Sequence, residues 1–409
     1  MNQMINGNRL NKHIEELATI GGTENGGVTR FSYSETEREA NELVKQYMEA
    51  AGLTVEEDAV GNVIGSLDGD KNLPVIIIGS HIDTVPDGGK YDGALGVLTA
   101  IEVIHSLTEK GERLNHPVKV ISFKDEEGSR FGFGMIGSRA AAGILTEADL
   151  EYTDDNGITI KQAMEDAGLK HTNFQQAIID NIKLYLEVHI EQGKILESNE
   201  MPVGNVTGIA GPLWLEFTLK GLAEHAGTTP MNQRQDALVG ASIIISEIEK
   251  IASRTDTTVA TVGKLNVKPN GTNVIPGEVQ WNVDIRDIDE AKRDVVEEQI
   301  RTFANQVADE RGLELTINEL QRVEPVLCDS RIQEAIKKGI QEEVDGEAIS
   351  LPSGAGHDGM QFKHVAPIGM IFVRSKDGIS HNPKEFTSEE DIEKAGNVLY
   401  RTLLELDRE

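Results

Sequence analysis

The sequence is almost free of cysteine. Cys328 is the single cysteine among 409 residues, so an intramolecular disulfide and a structural zinc site built from several cysteines are both excluded. A lone cysteine is typical of proteins from a reducing compartment. We therefore expect a cytoplasmic protein.

Basic residues are also scarce. The chain has 39 Lys and Arg residues against 69 Asp and Glu residues, which gives a net charge of −30. Such a surface repels nucleic acids and anionic membranes, so we expect neither as a partner. We attribute the acidic excess to solubility or to an adaptation to salt rather than to a specific ligand.

Long apolar runs are absent as well. No stretch approaches the roughly 20 apolar residues that span a bilayer, and residues 1–11 are polar and lack the apolar core of a signal peptide. Apolar residues nevertheless make up 38% of the chain, which is enough for substantial cores. A length of 409 residues predicts at least two domains.

Four short apolar runs each lead to a histidine or a glutamate. They are Val75–Ile78 before His81, Val118–Phe123 before Glu126 and Glu127, Leu184–Val188 before His189, and Pro367–Val373 before His381. Uninterrupted runs of this length, bounded by turns, are typical of buried parallel strands. Because open α/β sheets bind ligands at the carboxyl ends of their strands, we expect these side chains to form one site.

Residues 212–327 follow a different pattern. Their apolar periodicity predicts the order β-α-β-β-α-β, which is the order of a ferredoxin-like sandwich. This segment lies between two parts of the chain that both supply residues to the first site. We therefore predict an α/β fold with a mainly parallel sheet and helices on both faces. The catalytic domain would comprise residues 1–211 and 328–409, and the inserted domain residues 212–327.

Five of the polar side chains are candidate metal ligands: His81, Asp92, Glu127, His189 and His381. Imidazole and carboxylate together favour zinc, manganese or cobalt over magnesium or calcium. Five ligands exceed what one tetrahedral ion with an open position needs, whereas two ions can share them if Asp92 bridges. Paired ions about 3.5–4 Å apart are typical of hydrolases that activate water. For His81 alone, a polar turn would be the simpler interpretation.

Two carboxylates beside these ligands have different predicted roles. Asp83 follows His81 by two residues, where its carboxylate can accept the second N–H of a metal-bound imidazole. Glu126 directly precedes Glu127, and adjacent residues leaving a strand can point in different directions. One glutamate can then bind metal while the other acts as general base. In isolation, the pair would be interpreted as a solvated acidic turn.

A second group of polar residues lies in the inserted segment. His225 precedes an Ala-Gly-Thr loop, Asn273 begins a turn, and Arg286 ends a predicted strand. An imidazole, an amide and a guanidinium suit an oxyanion and a substrate carboxylate, although each alone is more often ordinary loop chemistry. Beyond this segment, the glycines around His357 allow the backbone to approach a ligand closely.

Taken together, the motifs resemble those of the hydantoinase/carbamoylase amidases. The resemblance extends from about residue 8 to residue 405, with the motifs in order. The matching segments are 79–84, 92–93, 125–131, 189–193, 225–231, 273–277 and 378–383. This family contains N-carbamoyl-L-amino acid hydrolases, allantoate amidohydrolases and β-ureidopropionases. It belongs to the binuclear-metal superfamily of aminoacylases and carboxypeptidases.

The resemblance implies two divalent metal ions per subunit, zinc or else manganese or cobalt. The first would be bound by His81, Asp92 and His189. The second would be bound by Asp92, Glu127 and His381. Glu126 would be the general base, and Asp83 would support His81.

The resemblance also implies that the inserted domain acts as a lid and a dimerisation domain. Substrate would be contacted by Gln192, Asn273, Arg286 and His357. His225 would act across the interface of a homodimer, in the active site of the partner subunit.

The expected activity is hydrolysis of the linear C–N amide bond of a ureido group. We expect an N-carbamoyl-L-amino acid as substrate, which yields the amino acid, CO2 and ammonia. Allantoate is the main alternative, and a dipeptide or an acylated amino acid is a further one. A binding protein without activity is a different class, but it would have no need of an unligated base such as Glu126.

Overall fold

Thirteen strands and ten α-helices are present in the computed structural model, which describes residues 4–409. The strands are β1 (Thr54–Glu57), β2 (Val63–Leu67), β3 (Val75–His81), β4 (Val118–Phe123), β5 (Ile182–Ile190), β6 (Val203–Ile209), β7 (Gly211–Lys220), β8 (Val259–Lys268), β9 (Glu278–Asp287), β10 (Glu314–Arg322), β11 (Val326–Leu327), β12 (Ser350–Ser353) and β13 (Ile368–Val373). The helices are α1 (Gly7–Thr19), α2 (Glu35–Ala50), α3 (Ala94–Lys110), α4 (Ile136–Ala141), α5 (Ile160–Asp166), α6 (Ile195–Ser198), α7 (Ala237–Ala252), α8 (Glu290–Arg311), α9 (Ser330–Glu343) and α10 (Glu389–Arg408).

The chain divides into two units. The first comprises the described residues up to Thr207 together with Leu327–Leu351 and His357–Glu409, and the second comprises Gly208–Val326 and Pro352–Gly356. The sequence-based inserted domain, residues 212–327, differs from the second unit by a few residues at each end and by the short segment 352–356. This segment joins the second unit because Arg286 Nη1 donates to the carbonyl oxygen of Gly354 at 2.8 Å.

A nine-stranded sheet carries the first unit. Its order is β1-β2-β4-β3-β5-β13-β6-β11, with β12 beside β6. Strand β3 pairs in parallel with β4 and β5, and β13 pairs in parallel with β5. These four are the strands predicted from the apolar runs. The prediction of a mainly parallel α/β sheet with helices on both faces is therefore confirmed.

Close packing holds the centre of this sheet. Every residue of β3 is buried, and α3, which begins directly after the Asp92-Gly93 pair, is buried along most of its length. A glycine at position 96 allows α3 to approach β5, since a Cβ there would collide with the carbonyl oxygen of Val188. The approach of α3 thus sets the position of the strand that ends near His189.

The second unit is a four-stranded antiparallel sheet in the order β10-β7-β9-β8. Buried and partly buried residues alternate along the whole of β9, as expected for a sheet with one packed face. Trp281 of this strand is fully buried and stacks on Phe217 with the ring centroids 5.1 Å apart. Helices α7 and α8 pack on the sheet. The strand and helix order confirms the predicted ferredoxin-like architecture.

Within residues 4–409, no helix is both long enough and apolar enough to cross a membrane.

The close approach of α3 to β5 generates a stability prediction. Gly96→Ala should lower the free energy of unfolding by about 1–2 kcal/mol, because overpacking costs about 1–3 kcal/mol and outweighs the gain of up to about 1 kcal/mol in helix propensity. Urea unfolding provides the measurement. Gly339→Ala in α9 is the matched control, since the nearest atom to its Cβ is 3.3 Å away. A Gly96→Ala protein as stable as the wild type would contradict this account of the packing.

Candidate metal centre and active site

Three adjacent parallel strands and the loop after a fourth deliver the site. His81 is the last residue of β3, and His189 is the penultimate residue of β5. Glu126 and Glu127 follow β4, and His381 lies in the loop after β13. All of these residues lie at or beyond the carboxyl end of a strand, the edge where open α/β sheets bind their ligands.

Asp92 is the centre of the site. Its Oδ1 lies 3.1 Å from Nε2 of His189 and 3.7 Å from Nε2 of His81. Its Oδ2 lies 3.2 Å from Nε2 of His381, and the same nitrogen is 3.5 Å from Oε1 of Glu127. The ligand atoms of His81, Asp92 and His189 lie within 4.8 Å of one another, and so do those of Asp92, Glu127 and His381. The two oxygens of one carboxylate therefore face two different sets of ligands.

Backbone carbonyl groups orient two of the imidazoles. His81 Nδ1 lies 3.0 Å from the carbonyl oxygen of Asp83, and His189 Nδ1 lies 3.0 Å from the carbonyl oxygen of Ile190. A carbonyl oxygen can only accept, so each Nδ1 carries the proton. Each Nε2 is then the nitrogen available to bind an ion.

The carboxylate of Asp83 makes a contact that the sequence analysis did not anticipate. It accepts hydrogen bonds from the backbone N–H groups of Glu126 and Glu127, both at 3.1 Å. Its distance to His81 Nδ1 is 3.7 Å, so the main support of His81 comes from the backbone carbonyl of Asp83 rather than from its side chain. Asp83 thereby links the end of β3 to the glutamate turn after β4.

Both glutamates of that turn lie at the site. Glu126 Oε2 is 3.7 Å from His81 Nε2, and both glutamates belong to a group with His81 whose ligand atoms lie within 4.8 Å. Burial, followed by the charges of Glu127 and Asp358, raises the pKa of Glu126 well above its usual value. Burial and Asp92 raise the pKa of Glu127 to about 8. Because these carboxylates lie close together, each makes ionisation of its neighbours less favourable.

The pKa values of two of the imidazoles are also raised, which for a histidine favours the charged form. Burial opposes the charged form of His189, but the hydrogen bond and the charge of Asp92 outweigh it and raise the pKa to about 9. Its hydrogen bond to Asp92 is the main cause that raises the pKa of His381 to about 9. Burial works against ionised Asp92, but these histidines lower its pKa well below the usual value. In the protein alone, imidazolium groups therefore balance the Asp92 carboxylate.

The residues fit divalent metal ions. Within residues 4–409, no lysine or arginine pairs with Asp92, Glu126 or Glu127, so histidines alone offset three carboxylates of low exposure. A divalent ion would supply the missing positive charge once the ligands lose their protons. Imidazole nitrogens with carboxylate oxygens are a donor set suited to zinc, manganese or cobalt.

Two residues expected to contact substrate, Gln192 and His357, lie beside the candidate metal ligands. Gln192 Nε2 donates to Asp92 Oδ2 at 2.9 Å, while Gln192 Oε1 is buried and accepts no hydrogen bond within the described chain. His357 is buried, with its ring centroid 4.5 Å from that of His189 in an edge-to-face contact. Burial and the neighbouring His189 lower the pKa of His357 well below its usual value, so its ring is neutral.

The other three residues predicted to act on substrate, His225, Asn273 and Arg286, belong to the second unit. His225 forms an isolated β-bridge with Val274, and its Nδ1 accepts the backbone N–H of Gly227 at 3.0 Å. The N–H of Ala226 donates to the carbonyl oxygen of Asn273 at 3.0 Å, so the two motifs are neighbours. Arg286 is occupied by Asp284, to which its Nη2 and Nε donate at 2.8 and 3.1 Å.

Four polar residues near Asp92 or Glu126 were missed by the sequence analysis: Glu187, Asp358, Ser380 and Glu385. Glu187 had a detectable signal, because Tyr185, Glu187 and His189 alternate on one face of β5. In the structure, Glu187 accepts from the hydroxyl groups of Ser80 at 3.0 Å and Tyr185 at 2.9 Å. Ser380 and Glu385 flank the His381 motif, but nothing in their spacing indicated which group they would contact.

Comparison with known proteins agrees with this architecture. Residues 77–405 match the model of peptidase family M20/M25/M40. An N-carbamoyl-L-amino acid amidohydrolase of Geobacillus stearothermophilus is 47% identical over 406 residues, covering 98% of this chain and 99% of that protein. An allantoate amidohydrolase of Bacillus subtilis is 38% identical over 402 residues, with 98% and 97% coverage.

Solved structures give the same result. An amidase of the hydantoinase/carbamoylase family from Burkholderia multivorans superposes with a TM-score of 0.94 at 35% identity, and the match covers 100% of both chains. The chain belongs to peptidase family M20/M25/M40, and its predicted resemblance to the hydantoinase/carbamoylase amidases is confirmed. It is an amide-hydrolysing enzyme.

Proposed function

We propose that this enzyme hydrolyses N-carbamoyl-L-amino acids to the L-amino acid, CO2 and ammonia with the help of two divalent metal ions. The main observation behind this proposal is that the two carboxylate oxygens of Asp92 face separate sets of ligands. A carboxylate shared in this way would hold both ions of a two-metal site, which supplies the water activation that amide hydrolysis needs. The full-length similarity to N-carbamoyl-L-amino acid amidohydrolases supports the choice of substrate.

We assign the first ion to His81, Asp92 and His189, and the second to Asp92, Glu127 and His381. Bound ions of this class activate water and polarise a carbonyl group, which is the chemistry that amide hydrolysis needs. Zinc, manganese and cobalt all match the donor set.

Glu126 is the proposed general base. It takes a proton from the attacking water and returns it to the departing nitrogen, so the acid form of the side chain is needed in the second half of the reaction. Burial and neighbouring carboxylates raise its pKa, which favours a group that can hold a proton between the two steps. Asp83 keeps the glutamate in place through the two backbone N–H groups of the turn.

The remaining roles concern substrate. The unpaired Oε1 of Gln192 can accept a ureido N–H, and neutral His357 lines the site beside His189. Arg286, assisted by Asn273, is proposed to bind the substrate carboxylate, in the fork geometry that it makes with Asp284. A substrate carboxylate would therefore replace, or share the guanidinium with, Asp284.

We also propose that the enzyme is a homodimer, with the ferredoxin-like unit as lid and dimerisation domain. His225 would stabilise the oxyanion in the active site of the partner subunit. His225 is exposed on its loop, which suits a group that acts outside its own unit. The single cysteine supports a cytoplasmic location.

Allantoate hydrolysis is the second candidate. It is supported by the allantoate amidohydrolase of Bacillus subtilis, which is 38% identical over almost the whole chain. Allantoate has two ureido groups on one carbon, so it presents the same reacting bond as an N-carbamoyl amino acid.

A substrate panel distinguishes these activities. Metal-free protein reconstituted with zinc, manganese or cobalt should release ammonia from N-carbamoyl-L-amino acids with a kcat/KM at least tenfold above that for allantoate, while dipeptides release no amino acid. Ammonia and amine are both measured, and the chelated protein is the control. A higher kcat/KM for allantoate would transfer the assignment to that substrate, and full turnover in the chelated protein would refute the role of metal.

The two glutamates of the turn after β4 can be separated by isosteric variants. Glu126→Gln should keep both ions but lose about 10²–10⁴-fold in kcat, because a glutamine cannot accept the proton. Glu127→Gln should lose metal occupancy as well. Metal content is measured by elemental analysis beside kcat. The reverse pattern, with metal lost from Glu126→Gln and kept by Glu127→Gln, would exchange the two roles.

Mixed dimers test the proposed position of His225. Glu126→Gln and His225→Ala should each be inactive as homodimers. Unfolded and refolded together in equal amounts, they should regain up to about a quarter of wild-type activity, because random pairing gives one complete site in half of the dimers. Differently tagged subunits verify that mixed dimers have formed. No regain in such a sample would place His225 in the site of its own subunit or outside catalysis.

A further inference from the structure

Glu385 is a buried carboxylate with an unusual set of partners. It lies between β13 and α10 and is 5% exposed. Its Oε1 accepts the backbone N–H groups of Tyr91 at 2.9 Å and of Asp92 at 3.1 Å. A side chain nearly 300 residues away in sequence therefore fixes the backbone at the central carboxylate of the site.

The other oxygen of Glu385 reaches the side chain of Asp92 through Ser380. Ser380 Oγ lies 2.9 Å from Glu385 Oε2 and 2.8 Å from Asp92 Oδ2, so its one hydroxyl proton can be donated to either carboxylate. Gln192 Nε2 donates to the same Oδ2 of Asp92 at 2.9 Å. Asp92 is thus held both at its main chain and at Oδ2. Its Oδ1 is left to face His81 and His189.

Burial of the Glu385 carboxylate lowers the stability of the folded protein, so a function is needed to explain it. Within the described residues, no lysine or arginine forms an ion pair with Glu385, and burial of an uncompensated carboxylate is unfavourable. The neighbouring loop also makes room for it. A Cβ at Gly89 would collide with the Glu385 carboxylate, so only glycine permits this approach.

We propose that Glu385 is a positioning residue for the metal centre. By fixing the backbone and, through Ser380, the Oδ2 atom of Asp92, it directs the two carboxylate oxygens towards two different ions. The inference rests on the proposed function, because the paired ions are part of that proposal. Within the described residues, the hydrogen-bond partners of Glu385 are Tyr91, Asp92 and Ser380, and none of them is a ligand imidazole. Glu385 therefore acts through Asp92.

The proposal predicts different results for two substitutions. Glu385→Ala removes the acceptor of both N–H groups and the partner of Ser380, and it should weaken binding of the ion at His381 and Glu127 by about 10–100-fold, as expected for the loss of a group that orients a ligand. Glu385→Gln should bind both ions within about threefold of wild type. Its Oε1 can accept both N–H groups, and its Nε2 can donate to Ser380 Oγ while Ser380 donates to Asp92.

Metal binding to the full-length, metal-free protein is the measurement, with zinc and manganese titrated separately and stoichiometry verified by elemental analysis. Ser380→Ala is a second and milder variant, which should weaken the same ion while the fold is kept. Asp407→Ala is the matched control. Asp407 is also buried and accepts the N–H groups of Asn115 at 2.9 Å and His116 at 2.8 Å, but these precede the amino end of β4, at the opposite edge of the sheet. It should lose thermal stability and keep both ions.

Several results would overturn the inference. They are unchanged affinity for both ions in Glu385→Ala, loss of an ion from Asp407→Ala to the same extent, and failure of Glu385→Gln to bind two ions. The last result would mean that the negative charge of Glu385 is itself required. A wild-type protein that binds fewer than two ions would instead overturn the proposed function, and this inference with it.

Discussion

The concentration of carboxylates around Asp92, which no lysine or arginine of residues 4–409 pairs with, is the constraint on which the structure of the site depends. Three histidines, His81, His189 and His381, are the only basic side chains that pair with Asp92, Glu126 and Glu127 within residues 4–409. Such a cluster persists only if the fold forces the groups together. The parallel strands bring the groups together because they end at one edge of the sheet. Next to Asp92, the glycine at position 93 allows the chain to approach His81, since a Cβ there would collide with the His81 ring.

The backbone around the site carries a related cost. Three non-glycine residues next to or within the ligand set have left-handed conformations: Asp125 with φ of 55°, Gln192 with φ of 57° and His381 with φ of 54°. Each such residue costs about 1–3 kcal/mol and persists where the surrounding structure dictates it. Asp125 and Gln192 lie just beyond the carboxyl ends of β4 and β5, and His381 lies further along the loop after β13. At each of them the chain turns so that side chains point back towards Asp92. The regular sheet therefore stabilises the strained turns that form the site.

Much of this organisation was readable from the sequence, because it depends on short-range patterns. Apolar runs identify β3, β4, β5 and β13, and parallel pairing brings their ends together whatever the loops do. The contacts of Asp83 and Glu385 were not readable. Asp83 was expected to face His81, but its carboxylate accepts from the turn of Glu126, a choice set by the path of a different strand end. Glu385 meets Tyr91 and Asp92 only when two distant loops are folded.

The pairing of Arg286 with Asp284 illustrates the same limit and bears on how an acidic protein can bind an acidic substrate. With a net charge of −30, the surface repels an N-carbamoyl amino acid at long range, but salt screens that repulsion beyond about 8 Å. Within that distance the local charges decide. A guanidinium that already holds Asp284 is partly desolvated and already makes a two-donor contact with a carboxylate, so the proposed exchange of one carboxylate for another involves little reorganisation. The acidic surface and the anionic substrate are therefore compatible, because the proposed recognition by ions and a guanidinium acts at short range and does not depend on the field of the whole protein.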